Sequence, residues 1–551
     1  MAILFVDENT VTSGPVFSDP FLNDFDWIII GRNITAISTD GPAIFSTDLS
    51  LLTITVEGSL YGGDSAIELI ALSTVSAGFQ SDYVVSVTET GVIGAVRRAV
   101  HLAFDNEDSH HRSQVRNDGL IESNTSSAIY LESGDEGVVL NTGIIRNSVS
   151  LQGLQVPVAN TIIISTTYGR IENSGSILGE TYQNAVPPIS QGFAGEDALI
   201  LSTIEGGSAG KQAGDAFEVF NTGLIGGLVS IVSEQGVDNI INSGEILGQI
   251  WTGSFNDRVE NTGKLSGDVM LGADDDVFDG FGGLATGEIH GGDGDDIIRS
   301  GYGDDWIDGG AGADLINGGL GVDTLSYASA SSGVELTLGL SIGYGTLGDA
   351  QGDTILNIEN LVGSNYNDRL RGSGADNVIN GGSGADNLRG FNGDDRLFGG
   401  DGADTVFGDS GDDVLVGGAG ADVLVGGNGR DRFIFSDGDT GRGSNADTIF
   451  DFNRTEDLVD LSAIDAIDAT AEDDAFTLLE LGAEFSGAGG EARWVVQGDD
   501  VFLQLEMTGD TTPDAAIIFK GGFPSVLVGY VPGTYTEIRE DLPYGEDIFI
   551  L

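Results

Sequence analysis

Cysteine is absent from the 551 residues, which excludes a disulfide-bonded scaffold, thiol catalysis and thiolate zinc sites. Proline occurs only 10 times, so the chain is neither collagen-like nor a proline-rich linker. Basic residues are also scarce: 22 Lys and Arg stand against 87 Asp and Glu, for a formal net charge of −65. Such a chain repels nucleic acid and anionic membranes. Cations are therefore the expected partners.

The chain also lacks any uninterrupted apolar run near the ~18 residues that a membrane-spanning helix requires. Its start, MAILFVDENT, lacks the basic and apolar regions of a cleavable signal peptide, so we expect a soluble protein without an N-terminal export signal. Histidine occurs four times, at His101, His110, His111 and His290, and no HExxH pair is present. A zincin-type metalloprotease domain is therefore excluded.

Glycine is abundant instead, with 87 residues, and much of it falls into nonapeptide repeats. Four repeats start at Gly291 (GGDGDDIIR, SGYGDDWID, GGAGADLIN and GGLGVDTLS), and eight more run from Gly363 to Ile434. Each has a glycine-rich turn and an apolar eighth residue, and all but one have Asp at the sixth place. Glycine permits tight left-handed turns, and the apolar residue points inward from a short strand. Two repeats therefore predict one eighteen-residue coil of a parallel β-roll.

Residues eighteen apart stack on neighbouring strands, so the sixth-place aspartates form columns. Strands lie ~4.7–4.9 Å apart and calcium binds oxygens at ~2.3–2.6 Å, so one ion fits between successive turns, with turn carbonyls as further ligands. The predicted carboxylate ligands are Asp296 with Asp314, Asp305 with Asp323, then Asp368, Asp386, Asp404 and Asp422 in one column, and Asp395, Asp413 and Asp431, headed by Asn377, in the other. The turn glycines assigned to these sites are Gly292, Gly294, Gly310, Gly312, Gly382, Gly384, Gly400, Gly402, Gly418 and Gly420. Several calcium ions are the only cofactor expected, and no catalytic residue is assigned.

The stacked carboxylates predict that the roll depends on its ions. Two unit charges ~4.8 Å apart repel by ~3.5 kcal/mol at an effective dielectric of ~20. Summed over the Asp–Asp steps of these columns, the repulsion is on the order of 20–25 kcal/mol, more than the ~5–15 kcal/mol that stabilises a typical protein. We therefore expect the region to fold only on binding calcium. The motif-poor spacer 327–362 has the length of four repeats and predicts two calcium-poor coils.

The repeats, the spacer and three later segments resemble the C-terminal half of serralysin-type metalloproteases and related RTX exoproteins. The segments are GGNGRDRFIFSDGD, ADTIFDFNRTEDLVDLSAID and LGAEFSGAGGEARWVVQGDDVFLQLEMTGD, and the resemblance covers about Gly291 to Leu551. It implies a calcium-binding roll closed by a β-sandwich-like cap with a type I secretion signal, here Asp547 followed by an apolar tail. It also implies export by type I machinery to calcium-rich extracellular surroundings, either free or at the cell surface. The protease does not carry over, since HExxH is missing.

The first 270 residues show a second period, in Asn-x-Gly turns followed by apolar residues. The asparagines are Asn117, Asn141, Asn173, Asn221, Asn242 and Asn261. The last two steps, of 21 and 19 residues, match one coil of a parallel β-helix, where asparagine accepts left-handed turn angles and hydrogen-bonds along the stack. The longer steps upstream require loops or degenerate coils.

Aspartates join this period to the repeats, because Asp238, Asp257 and Asp276 lie 19 residues apart and Asp296 follows after 20. The sequence thus predicts an all-β chain built as one right-handed solenoid. A parallel β-helix over 1–270 continues into the β-roll over 271–435, the coil tightening near Gly280 to Gly292, and the cap spans 436–551.

Two function classes stay open. A secreted, calcium-dependent structural or adhesive protein, which binds a surface polysaccharide or copies of itself, fits the repetitive, histidine-poor sequence. The alternative is a secreted polysaccharide lyase or epimerase with its site in Arg97 to Arg116, which holds three of the four histidines. That segment also fits a polar loop, since its spacing matches no metal-ligand template. The GxSxG match at Gly206 to Gly210 lies in a glycine-rich loop, so no nucleophile is assigned.

Overall fold

The structure is a computed structural model that divides into two units, Met1–Asp305 and Trp306–Leu551. It describes residues 3–550 except 7, 14, 19–26, 41, 47–50, 64, 72–80, 97, 105–110, 125–126, 133–135, 148–160, 166–167, 180–199, 202–215, 228, 234–235, 340–341, 465–475, 480–482 and 521–548. Regular structure in this part of the chain consists of strands and two short 3-10 helices, Gly348–Ala350 and Gly443–Asn445. No helix among the described residues has the length and apolar character needed to cross a membrane. The all-β prediction is confirmed.

The first unit is a parallel β-helix with three strands per coil. The first strands of successive coils are Ile3–Val6, Trp27–Ile30, Leu51–Val56, Ser81–Val87, His111–Asn117, Glu136–Asn141, Tyr168–Asn173, Ala216–Asn221, Val237–Asn242, Arg258–Asn261 and Val277–Asp279. The second strands are Thr10–Thr12, Thr35–Ser38, Ser59–Gly62, Val92–Ala95, Leu120–Ser123, Ile144–Asn147, Ser176–Leu178, Leu224–Gly226, Glu245–Ile246, Lys264–Leu265 and Leu284–Ala285. The third strands are Phe17–Ser18, Ile44–Ser46, Ser65–Ala71, Arg98–Phe104, Ile129–Glu132, Ile162–Ser165, Ile200–Leu201, Val229–Ser233, Gln249–Ser254, Val269–Ala273 and Ile289–Asp293.

An apolar stack fills the interior of this helix. The first strands pair in parallel so that one aliphatic or aromatic residue from each coil occupies the same register position, and each of these residues is 0% exposed. The stack runs through Ile28, Ile54, Val85, Val115, Val139, Ile171, Val219, Ile240, Val259, Phe278 and Ile298. Parallel coils bury the strands on one another, which explains the β-branched composition.

The predicted asparagine stack is present. From Asn117 to Asn261 the side-chain Nδ2 of each asparagine donates to the Oδ1 of the next, at 2.7–2.8 Å. The ladder is unbroken across the long sequence steps, because the first strands of successive coils pair directly in one register. Degenerate coils are therefore not needed between Asn117 and Asn221.

The strand pattern changes at Ile297–Tyr302, beyond the range from Gly280 to Gly292 where the sequence predicts that the coil tightens. Strand Ile297–Tyr302 pairs with Val277–Asp279 along its first residues and, through Tyr302, with Leu284 of a second strand. At the end of the first unit, one strand thus pairs with both the first and the second strand of the preceding coil.

The second unit consists of two sheets. One sheet is parallel and contains Trp306–Ala311, Thr324–Ser326, Asn360–Val362, Val378–Ser383, Arg396–Gly402, Val414–Gly420, Arg432–Ser436, Leu458–Ala463 and Phe549–Ile550. The other contains, in spatial order, Leu315–Leu320, Thr354–Leu356, Gly343–Leu347, Glu335–Thr337, Arg369–Arg371, Asn387–Asn392, Thr405–Ser410, Val423–Asn428, Asp447–Ile449, Ala515–Phe519, Asp500–Glu506, Glu491–Gln497 and Thr477–Leu478. Its last strands include the antiparallel pairs of the cap.

The spacer does not form the two coils predicted from its length. In the parallel sheet a single spacer strand, Asn360–Val362, lies between the strands of the two arrays. In the other sheet the spacer supplies three strands, and Gly343–Leu347 runs antiparallel to both of its neighbours. Equal length therefore did not mean equal structure, because the spacer lacks the repeated glycine turns that return the chain to the opposite sheet after every nine residues.

Candidate metal centre

The turns of the roll hold a backbone conformation that favours glycine at the second and fourth places of a repeat. The ten turn glycines predicted at the calcium sites all have φ between +90° and +155°. A side chain in this left-handed region costs ~1–2 kcal/mol. Phe391 and Asp409 nevertheless occupy the second place of their repeats at φ +80° and +75°. The coil itself therefore imposes the turn conformation.

A hydrogen-bond ladder joins the first column of carboxylates. The backbone N–H of Asp368 donates to Oδ1 of Asp386 at 2.7 Å. The same contact links Asp386 to Asp404 at 2.7 Å and Asp404 to Asp422 at 2.8 Å. One further step, from Asp422 to Oδ1 of Asp447, measures 2.8 Å. The structure thus brings the predicted column together and lengthens it by one aspartate.

The second column follows the same pattern. The backbone N–H of Asn377 donates to Oδ1 of Asp395 at 2.7 Å. Asp395 bonds Asp413 at 2.8 Å, and Asp413 bonds Asp431 at 3.1 Å. This column too has an additional member, because the N–H of Asp431 donates to Oδ1 of Asp457 at 3.1 Å.

Sequence reasoning missed the two terminal aspartates because they follow their predecessors after 25 and 26 residues rather than 18. A local signal was present. Asp447 and Asp457 each precede, by two residues, an apolar side chain that is 0% exposed, Ile449 and Val459. The same spacing separates the sixth-place Asp from the eighth-place apolar residue in the repeats, but here the glycine turn of the repeats does not precede the Asp.

The second carboxylate oxygens set the chemistry of the columns. Seven column aspartates are at most 2% exposed, and their Oδ2 atoms accept no hydrogen bond from the described residues. They are Asp386, Asp395, Asp404, Asp413, Asp422, Asp431 and Asp447. A buried carboxylate oxygen without a partner is costly unless a cation or a proton neutralises it. A line of such oxygens therefore indicates bound cations.

The first-place glycines show where these oxygens lie. A Cβ added at Gly399 would lie 2.5 Å from Oδ2 of Asp404 and 2.4 Å from the carbonyl oxygen of Gly417 in the next coil. At Gly408 the corresponding distances are 2.3 Å from Oδ2 of Asp413 and 2.5 Å from a carbonyl oxygen. Carboxylate and carbonyl oxygens thus converge between coils, in space that only glycine leaves free. All-oxygen donors of this kind suit calcium.

Burial is the main cause of the altered acidity in these columns. Desolvation raises the pKa of Asp386, Asp395, Asp413, Asp422 and Asp431 to about 7, and that of Asp447 to about 8. Repulsion between stacked carboxylates adds a smaller upward contribution in most of these groups. Burial therefore disfavours the ionised, metal-free columns more than the mutual repulsion of their carboxylates does.

At the edges of the arrays, protein donors occupy the second oxygen. The Tyr327 hydroxyl donates to Oδ2 of Asp353 at 2.6 Å, and the backbone N–H of Ser364 donates to Oδ2 of Asp368 at 2.6 Å. Asp353 stands in the ladder position beyond Asp314, whose N–H donates to its Oδ1 at 2.9 Å. The carboxylate of Asp368, a predicted ligand, is therefore satisfied largely within the protein.

The ligands predicted in the first array are buried as well. Asp296 and Asp305 belong to the first unit and Asp314 and Asp323 to the second, and each is at most 3% exposed. Within the described residues no three His, Cys, Asp or Glu side chains cluster as a metal site.

Stacked glycine turns with inward carboxylate oxygens define a calcium-binding parallel β-roll. The comparison with protein families agrees: the RTX calcium-binding nonapeptide repeat model (4 copies) matches residues 290–325, 357–388, 371–406, 389–424 and 407–440. The matched residues, 290–325 and 357–440, are RTX repeats, and their ligand is calcium.

Two solved structures are similar to part of the chain. The AlgE6R3 subunit of the Azotobacter vinelandii mannuronan C5-epimerase is 24% identical, over 34% of this chain and 94% of that chain, with a TM-score of 0.20. The AlgE6R2 subunit of the same epimerase is 26% identical, over 30% of this chain and 84% of that chain, with a TM-score of 0.19. No curated protein matches the chain.

The described residues of the His/Arg segment lie on two different faces of the β-helix. His101 lies in third strand Arg98–Phe104, whereas Arg112 and Arg116 lie in first strand His111–Asn117. Residues 97 and 105–110, with His110 among them, lie outside the described residues, as do the GxSxG match and most of the apolar C-terminal tail.

The structure instead aligns other residues with His101. Register places Glu68 and Tyr130 on either side of it in neighbouring coils. Its Nδ1 lies 3.8 Å from Oε1 of Glu68, its ring lies 5.1 Å from the ring of Tyr130, and the guanidinium of Arg98 lies 4.1 Å above that same tyrosine ring. Only the coil register, which the sequence period leaves uncertain in this region, could have identified this group.

Proposed function

We propose that the chain is a secreted RTX protein that a type I system exports unfolded and that folds on binding calcium outside the cell, where it serves a structural or adhesive role. The observation that carries the proposal is the line of buried Oδ2 atoms without a partner among the described residues. Cytosolic calcium is scarce relative to the outside, so a fold that needs many ions forms after export. The domain limits at 270 and 435 and the serralysin-like cap belong to the same proposal.

Calcium supplies positive charge between the coils, and the chain supplies the oxygen ligands and holds them in place. The glycine turns fix the carbonyl directions, the ladder of N–H donors holds each Oδ1, and burial keeps water from the second oxygen. Each ion thus joins two coils that would otherwise stack two desolvated carboxylates.

The test compares two neighbouring aspartates. Asp395 is buried in a column, whereas Asp394 is an exposed fifth-place residue whose Oδ1 accepts the N–H of Asp412 at 2.8 Å. Asparagine keeps Oδ1 in both cases. We expect D395N to bind fewer calcium ions per chain in isothermal titration calorimetry and to unfold more readily in saturating calcium, whereas D394N matches the wild type. Equal stoichiometry in all three proteins would contradict the proposed sites.

Export has its own test. The full chain, co-expressed with a type I exporter, should accumulate in calcium-containing medium, whereas a chain that ends at residue 520 should remain in the cell. Export of the shortened chain would rule out a C-terminal signal.

A polysaccharide lyase or epimerase is the second candidate, favoured by the alignment of Glu68, Arg98, His101 and Tyr130 on one side of the β-helix. A histidine and a tyrosine can exchange protons with a sugar ring while an arginine neutralises a carboxylate. Screening the calcium-loaded chain on acidic polysaccharides, with H101A and Y130F as variants, tests it. Activity that both variants retain would exclude this group as the site.

A further inference from the structure

The carboxylate ladder continues into the β-helix, beyond the residues that match the RTX repeats. The backbone N–H of Asp238 donates to Oδ1 of Asp257 at 2.8 Å, that of Asp257 to Asp276 at 2.7 Å, and that of Asp276 to Asp296 at 2.8 Å. Only the last of these aspartates lies within the matched residues, which begin at 290. The same contact links successive aspartates within each column of the roll.

The loops that carry Asp257 and Asp276 also have the backbone of the calcium turns. Four and two residues before Asp257, Gly253 and Phe255 have φ of +96° and +83°. The same offsets before Asp276 fall on Gly272 and Asp274, at +122° and +79°.

The repeat loop of Asp296 shows this pattern at Gly292 and Gly294, with φ of +117° and +146°. Backbone pairing places Gly253, Gly272 and Gly292 in one register. A Phe and an Asp in left-handed conformations indicate that these coils keep the turn without the glycine that favours it.

The two carboxylates are buried and incompletely satisfied. Asp257 is 2% and Asp276 1% exposed, and Oδ2 of each accepts no hydrogen bond from the described residues. The nearby Thr252 hydroxyl donates its proton to the carbonyl oxygen of Leu271 at 2.6 Å. A buried carboxylate oxygen without a donor is costly unless a cation or a proton lies beside it.

We propose that the loops 253–257, 272–276 and 292–296 form two further calcium sites, one between Asp257 and Asp276 and one between Asp276 and Asp296. The donors are carboxylate and backbone oxygens, which hard cations prefer, and the irregular loop geometry suits calcium better than magnesium. The choice of ion rests on the proposed calcium binding of the roll. These sites extend the dependence on calcium into the three-stranded coils of the β-helix.

The same residues explain why the repeat pattern is lost here. The first place of these turns holds Thr252 and Leu271, not glycine, and the coils contain 19 and 20 residues, not 18. A nonapeptide pattern therefore fails, although the turn and the aspartate remain in place.

The test counts calcium ions on the full-length chain. Isothermal titration of the chelator-treated protein should give two fewer ions per chain for D257N/D276N than for the wild type. D275N is the matched control, because Asp275 lies exposed in the same loop and Asn keeps the Oδ1 that accepts the N–H of Asp295. An unchanged count in the double variant overturns the inference and leaves the roll sites standing. A wild type that binds no calcium overturns both.

A second measurement avoids changing any ligand, in case the double variant does not fold. Trp251 directly precedes the loop of Thr252 to Asp257 in strand Gln249–Ser254, so it should sensitise terbium bound in calcium's place. We expect W251F to lose part of the tryptophan-excited terbium emission of the full chain at an unchanged number of bound ions. The loss should exceed that of W494F. Emission equal to that of the wild type would place no ion beside this loop and overturn the inference.

Discussion

Removing calcium should make the folding of the roll depend on pH in the direction opposite to ordinary acid denaturation. Five column aspartates, Asp386, Asp395, Asp413, Asp422 and Asp431, have pKa values raised by burial to about 7, from 3.8 in an unfolded chain. Between these two values the folded state binds more protons than the unfolded state. The free energy of unfolding therefore falls as pH rises through this range.

The magnitude follows from the same numbers. The change from 3.8 to about 7 corresponds to ~4 kcal/mol for each carboxyl, so five groups cost on the order of 20 kcal/mol above pH 7. A typical domain is stable by only ~5–15 kcal/mol. The chelated roll should accordingly be unfolded at pH 8 and regain structure near pH 5, where these groups are protonated.

The folding of the calcium-free chain can be measured by far-UV circular dichroism in a chelator as the pH is lowered from 8 to 5. The β-sheet signal should grow on acidification, whereas saturating calcium should hold it constant. D395N/D413N removes two titrating groups, so its transition should lie at higher pH. D376N/D394N changes two exposed residues whose Oδ1 atoms accept backbone N–H groups, so it should not move the transition in that direction. A chelated wild type with constant signal, or one that loses structure on acidification, would refute the burial argument.

Three further substitutions test separate contacts. G399A places a Cβ within 2.5 Å of Oδ2 of Asp404 and of a carbonyl oxygen. It should bind fewer calcium ions in calorimetry, and its unfolding free energy in calcium should fall by ~1–3 kcal/mol. G438A has open space at its Cβ and should bind as many ions as the wild type. N242L interrupts the buried asparagine ladder on both sides. The free energy of unfolding in urea should fall by ~1–3 kcal/mol, and a smaller loss would show that the ladder adds little to stability. Y327F removes the hydroxyl that donates to Asp353 and should cost ~1.5–3 kcal/mol, with no change in calcium count; a gained ion would show that calcium replaces the hydroxyl.

Periodicity predicted the parts of this fold that repeat. The eighth-place residues are all 0% exposed, from Ile298 to Phe433, and the asparagine stack follows its predicted register across loops of very different length. The period could not predict the parts of the structure that depend on individual contacts. The spacer pairs through an antiparallel strand, and the group around His101 depends on which coils are neighbours.

The ends of the calcium array illustrate the physical limit most clearly. Asp368 and Asp404 occupy the same place of the motif, yet Ser364 donates to Oδ2 of Asp368 while Oδ2 of Asp404 accepts no hydrogen bond from the described residues. At the other end, Oδ2 of Asp457 accepts the backbone N–H of Asn453 at 2.7 Å. At these two positions a protein donor takes the place that an ion would otherwise fill, whereas Asp447, which ends the other column, has an Oδ2 that accepts no hydrogen bond from the described residues. We therefore expect the number of bound ions to follow the second oxygens that lack such a donor rather than the number of repeats that match the motif.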